Sequence, residues 1–259
     1  MIQLDMIEKV RLRAEKSDAI SAVFMYGSFV KNEGDNYSDI EFYVFLHPDI
    51  EFDRYRWVNS IEDVHTFFSN EFGSEVVIFR NLIRGEFHFL PVIEMSILKS
   101  WVGLVSFEYF EKMSLVDKDG KLSAILISLS KDSPNRSSSE SFKWICNLAI
   151  NGLLHTRNLL LRGELAHAHQ SLFYIHKYIL WLIRIEVDST KHWESPTKKA
   201  EEDLPAYWYE KYAHCTTSLD RQSLMNAYRH CFMLTLELFN RLQAPTDVVS
   251  LLNEIGAEI

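Results

Sequence analysis

Residues 25–45 read MYGSFVKNEGDNYSDIEFYVF, and within them Gly27-Ser28 and Asp39-Ile40-Glu41 are the groups equipped for chemistry. In an extended strand, residues two apart project to the same face. Asp39 and Glu41 then point together, while Ile40, Phe42 and Val44 turn the other way, toward a core. Carboxylates entering an apolar run are costly if buried without partners. Either that strand face is solvated, or the pair holds something positive. Two carboxylates whose Cα atoms are about 6–7 Å apart can chelate a divalent cation through oxygen, a donor set suited to magnesium or manganese rather than zinc. Without a metal the like charges repel and one pKa rises. Just upstream, the apolar run 19–26 (AISAVFMY) leads straight into Gly27-Ser28. Such a turn offers unshielded backbone N–H groups and a hydroxyl, which can cradle phosphate oxygens. Gly-Ser alone says little. Followed after ten residues by Asp-x-Glu in an apolar strand, it is far more specific.

The elements that position these groups follow from periodicity. Residues 2–16 set Ile2, Leu4, Met6, Ile7, Val10 and Leu12 among charges at helical spacing. The runs 19–26, 39–45, 75–79 and 86–95 read as strands, and Pro91 predicts that the last is an edge strand or bulged. A helix is expected over part of 58–71. The polar stretch 128–140 (SLSKDSPNRSSSE) is the best linker, with Ser137 and Glu140 spaced as a capping box. Helical pattern then covers 141–161, 165–187, 205–215 and 219–242. The expected organisation is an α/β (α+β) catalytic domain with a mixed sheet at 1–130, a linker at 131–140, and an all-α helical bundle at 141–259.

With 259 residues, 47% hydrophobic and 13% aromatic, the chain has enough apolar material for a sizeable core in one or two domains. A formal charge of −9 argues against non-specific nucleic-acid binding and suits a small cationic substrate better. Cys146, Cys215 and Cys231 form no paired motif, which predicts buried neutral thiols in a reducing cytosol. The N-terminal MIQLDMIEKVRLRAEKS lacks an apolar signal region, and no window approaches a spanning helix. A cytoplasmic protein with no membrane partner is expected.

The Gly-Ser and Asp-apolar-Glu pattern resembles the nucleotidyltransferase superfamily that includes DNA polymerase β. More narrowly, MYGSFVKNEGDNYSDIEFYVF followed by EVVIFRNLIRGEFHFL (75–90) resembles the two-domain lincosamide nucleotidyltransferases, and a weaker likeness continues through Pro134-Asn135-Arg136. The resemblance implies transfer of AMP (NMP) from ATP (NTP) to a hydroxyl of an antibiotic, with release of pyrophosphate. It implies Mg2+, or Mn2+, on Asp39 and Glu41, nucleotide at Gly27 and Ser28, and Glu86 as general base. It also implies a homodimer with the acceptor site in the helical half. An aminoglycoside acceptor, or a toxin–antitoxin nucleotidyltransferase acting on protein or RNA, are the alternatives.

Other residues carry plainer readings beside functional ones. Glu86 could open a strand and pair with Arg84; Glu75 and Glu94 are strand-end positions or further metal ligands. Lys31 and Arg84 are triphosphate contacts or surface charges, and His88 shares a strand face with Glu86. Residues 117–120 (DKDG) lack the remaining ligands of a calcium loop and read as a turn. Arg162 and His167 superficially match the Arg-x4-His pattern of HEPN ribonucleases, with Gly163 departing from it. Phe173, Tyr174, Tyr178 and Trp181 fit a core or dimer face. Arg184, Trp193 and the loop 192–199 are candidates for lining an acceptor pocket.

Overall fold

The computed structural model describes residues 1–102, 105–131 and 134–256, which divide into two compact units, Met1–Pro134 and Asn135–Ile259. Residues 132–133, inside the expected linker, lie outside the described residues.

The first unit is built on a six-stranded mixed sheet. Its elements run α1 (Ile2–Lys16), β1 (Ile20–Tyr26), β2 (Ile40–Leu46), α2 (Arg54–Asn59), β3 (Val64–Ser69), β4 (Glu75–Phe79) and β5 (Arg84–Pro91). A 3-10 segment (Val92–Trp101), α3 (Phe110–Met113), β6 (Ser114–Asp117) and α4 (Lys121–Leu129) complete it. The strand order is β3-β4-β5-β2-β1-β6, with β2 and β5 parallel and the other neighbours antiparallel. β1 is apolar almost throughout because it lies inside the sheet, and six of its seven residues are buried. β2 and β5 instead alternate. Ile40, Phe42 and Val44 of β2 and Phe87 and Phe89 of β5 are buried, and Phe42 stacks on Phe87 at 5.3 Å. Burying each such side chain stabilises the unit by roughly 1.5–3 kcal/mol. In α1 the buried residues Met6, Val10 and Ala14 recur every four positions, so one stripe packs against β1.

Three expectations are corrected. Residues 58–71 hold not one helix but the end of α2 and the strand β3. The Val64–Ser69 backbone pairs with β4, and Asn70 closes the hairpin by accepting from the backbone N–H groups of Phe72 and Ser74. β5 is a central strand, not an edge, and Pro91 is tolerated because it is the last residue, after which the chain turns into the 3-10 segment. The helix cap is Ser138, whose hydroxyl accepts from Ser141 N–H at 3.2 Å; Ser137 lies one residue too early.

The second unit is helical: α5 (Ser139–Arg162), α6 (Leu165–Glu186), α7 (Ala200–Asp203), α8 (Ala206–Ala213), α9 (Arg221–Arg241) and α10 (Thr246–Ile255). α5, α6 and α9 pack pairwise around Ile145, Leu153, Ile175, Ile179, Tyr228 and Phe239, all of them buried. Gly163 closes α5 in the left-handed conformation at φ 77°. All three cysteines are free and buried, and burial pushes the Cys146 thiol up to about 12. Among the described residues, no helix is long and apolar enough to cross a membrane.

Candidate active site

Parallel pairing of β2 with β5 sets Glu41 beside Glu86 and Tyr43 beside His88, while β1 brings Tyr26 opposite Glu41. Asp39 lies one residue before β2. Strand alternation places Arg84, Glu86 and His88 on the face opposite the buried Gly85, Phe87 and Phe89. The carboxylates expected to act together are thus gathered from two neighbouring strands.

Arg84 ties two of them. Its Nη1 donates to Asp39 Oδ2 at 2.6 Å and its Nη2 to Glu86 Oε2 at 2.5 Å. The Arg84–Glu86 pair that the sequence allowed is therefore present, but as half of a fork that also reaches Asp39. Burial pushes the Glu86 carboxyl up, yet the Arg84 and Ser74 hydrogen bonds and the Arg84 and His88 charges outweigh it and hold it below the usual carboxylate range. Glu86 is then ionised at neutral pH, as a proton acceptor must be.

His88 lies between Glu86 and β1. Its Nε2 is 3.3 Å from Glu86 Oε1 and 3.0 Å from the Tyr26 hydroxyl, and Ser74 Oγ lies 3.3 Å from Nδ1. The ring stacks on Tyr43 at 4.0 Å with an interplanar angle of 3°. Burial lowers its pKa despite the adjacent carboxylate, so the neutral imidazole prevails near pH 7. Burial, followed by the charges of Glu41 and Glu86, pushes the Tyr26 phenol far above its ordinary value, which keeps it protonated.

The turn after β1 is shaped around Glu41. Gly27 has φ 85°, and a Cβ placed on it would sit 1.7 Å from Glu41 Oε2, so the carboxylate rests against the bare glycine. The next hydroxyl, Ser28 Oγ, is buried without a hydrogen-bond partner. A buried polar atom of that kind calls for an acceptor or donor from elsewhere. The Ser28 carbonyl accepts from Glu33 N–H at 2.9 Å, and the Ser38 carbonyl accepts from Gln3 Nε2 at 3.2 Å, which fastens the loop to the buried side of α1. Lys31 rides on this loop.

Among the described residues, no group of three or more His, Cys, Asp or Glu side chains is arranged as a ready metal cage. The Asp39 and Glu41 carboxylates nevertheless supply hard oxygen donors, with Glu41 lying against Gly27, the residue before the orphaned Ser28 hydroxyl. That donor set fits a magnesium-type ion which takes its remaining ligands from phosphate and water.

Glu75 is occupied elsewhere: Oε1 accepts from Arg54 at 3.1 Å and Oε2 from Ser69 at 2.9 Å, while Glu94 is exposed on the 3-10 segment. In the second unit, the fully buried Arg184 donates to the carbonyls of Ser189, Pro196 and Lys198 and to Asp203, within 3.1 Å. It braces the 189–203 loop from inside rather than lining a pocket. Trp193 stacks on Trp181 at 5.2 Å and is likewise buried. Arg162 and His167 are both exposed and both engage Glu164. Residues missed from sequence are Tyr26, Tyr43 and Ser74. Tyr43 continues the period-two series Asp39, Glu41, and could have been found by extending it.

Comparison with known proteins finds likeness to nucleotidyltransferases. Residues 138–254, a little under half of the chain, match the family described as Lincosamide nucleotidyltransferase-like, C-terminal domain. Over that stretch the chain is similar to this family. Among solved structures, an aminoglycoside 6-adenyltransferase from Bacillus subtilis is 14% identical, with 97% of this chain and 94% of that chain covered, at a TM-score of 0.45. A nucleotidyltransferase-like protein from Exiguobacterium sibiricum 255-15 is also 14% identical, with 96% of this chain and 79% of that one covered, at a TM-score of 0.41. Likeness at that level says nothing of substrate. A search of curated proteins returned no match.

Proposed function

We propose that the protein transfers AMP from ATP to a hydroxyl of a lincosamide antibiotic, releasing pyrophosphate and inactivating the drug. The observation that carries this reading is the gathering of Asp39, Glu41 and Glu86 at adjoining ends of β2 and β5, with Glu41 against a left-handed Gly27 that leads into the orphaned, buried Ser28 hydroxyl. The lincosamide acceptor rests on the family of the C-terminal domain.

Gly27 and Ser28 receive phosphate oxygens, the first through exposed backbone and the second through its hydroxyl. Asp39 and Glu41 would hold Mg2+ or Mn2+, which supplies charge neutralisation at the phosphates and alignment of attack and departure. Glu86 takes the proton of the acceptor hydroxyl as its oxygen bonds to the α-phosphorus. The bond from that phosphorus to the bridging oxygen breaks, and pyrophosphate leaves with the electron pair. His88, clamped by Tyr43, Tyr26 and Ser74, fixes the orientation of Glu86. The helical unit holds the acceptor and pairs two copies, and the exposed Phe173 and Tyr174 suit such an interface. The formal charge of −9 is compatible with an amine-bearing drug.

Pyrophosphate release with ATP and magnesium, measured in parallel with a lincosamide and an aminoglycoside, tests the acceptor. Turnover with the aminoglycoside alone would replace the lincosamide assignment while keeping the chemistry.

A further inference from the structure

Asp39, Glu41 and Glu86 concentrate three negative charges at adjoining ends of β2 and β5. Arg84 is the cation that spans two of them, at 2.6 Å from Asp39 and 2.5 Å from Glu86. Contacts this short between ionised groups are strong charge-assisted hydrogen bonds. The planar guanidinium suits the task, since one fork reaches two carboxylates at once and a lysine cannot. Its position has a consequence for any divalent ion bound through Asp39. The guanidinium occupies a lone pair of a ligand oxygen and adds a full positive charge beside it, so two cations compete for one site. The Arg84 side chain is 44% exposed, and its backbone is held independently in β5 opposite Ile78, so the head can swing away without disturbing the strand.

We propose that Arg84 is a stand-in cation for the metal, an inference that rests on the metal-dependent reading above. Before substrate arrives it balances and aligns Asp39 and Glu86. It opposes entry of a bare divalent ion, and it yields Asp39 when the ion arrives with nucleotide. Its freed guanidinium then turns to the triphosphate. Metal binding and nucleotide binding are thereby coupled through one side chain.

Mn2+ titration of the full chain, with free ion followed by electron paramagnetic resonance, tests this without turnover. Titrations run without nucleotide and with a non-hydrolysable α,β-methylene ATP analogue. Arg84→Met should bind Mn2+ without nucleotide at least ~10-fold more tightly than the wild type, equivalent to about 1.4 kcal/mol. Arg84→Gln should show the same gain, and adding Asp39→Asn to either should abolish it. Circular dichroism checks that each variant is folded. Equal or weaker binding in a folded Arg84 variant overturns the inference. If the wild type then still takes up Mn2+ with the analogue, and loses it on Asp39→Asn, the metal site survives that failure. Absence of Mn2+ from every form, analogue present, would count against the metal reading itself.

Discussion

Replacing Gly27 by alanine perturbs the site at its tightest point. Two effects add. At φ 85° an L-residue sits in the left-handed region, which costs roughly 1–2 kcal/mol for a side chain with a Cβ. The new methyl would also lie 1.7 Å from Glu41 Oε2, where ordinary contact begins near 3.4 Å. The carboxylate must therefore retreat by about 1.7 Å, and a misplacement on the order of 1 Å at a reacting centre can cost about 100-fold in rate. Gly73 provides the control. It has φ 80°, and a methyl added there would meet nothing within 4 Å, so Gly73→Ala carries the backbone strain without the collision. Both variants should lose about 1–2 kcal/mol in chemical denaturation. Only Gly27→Ala should lose about 100-fold in nucleotidyl transfer, measured as pyrophosphate release under saturating ATP. Equal activity in the two variants would refute the argument, because it would mean that the Glu41 position does not matter to the reaction.

Two further outcomes concern the scaffold. Burial lowers the pKa of His88, and of His176 despite its contact with the Cys215 carbonyl, so below about pH 6.5 the unfolded chain binds more protons than the folded one. Stability present above that value is lost as pH falls toward the folded pKa values. The melting temperature should drop between pH 7.5 and 5.5, less so in His176→Gln; a flat or rising profile would contradict the assignment. Arg184→Met should destabilise the helical unit by about 3–5 kcal/mol, because it strips the buried partner from Asp203 and three carbonyls. A loss below about 1 kcal/mol in denaturant would mean that the 189–203 loop does not depend on it.

Much of the first unit is legible in the sequence because its patterns are local. The run into Gly27-Ser28 and the alternation from Asp39 to Val44 are readable two residues at a time, and both strands form within a residue of the expected limits. Partnership between strands is not legible in this way. Nothing in RGEFHF says that Glu86 lies beside Glu41 or that Arg84 reaches back 45 positions to Asp39, since register is set by the assembled sheet. β3 reads as helix because VHTFFS is short and its strand character comes from pairing with β4. β6 is hidden for the same reason, being four residues at the sheet edge. The cap of α5 slips by one because residues 137–139 are all serine, and a run of identical capping side chains cannot state which one is used. Arg184 reads as a pocket residue because its tight set of carbonyl partners comes from a loop whose path no periodicity encodes.

Transfer of AMP onto a lincosamide would be read without intermediary by mass spectrometry of the drug. Wild-type protein with ATP, magnesium and lincomycin or clindamycin should yield an adenylylated drug and an equal amount of pyrophosphate. Glu86→Gln should retain its fold and lose at least about 100-fold of that activity. Folded wild-type protein that leaves both drugs unmodified would contradict the acceptor assignment, and undiminished turnover by Glu86→Gln would contradict the chemistry.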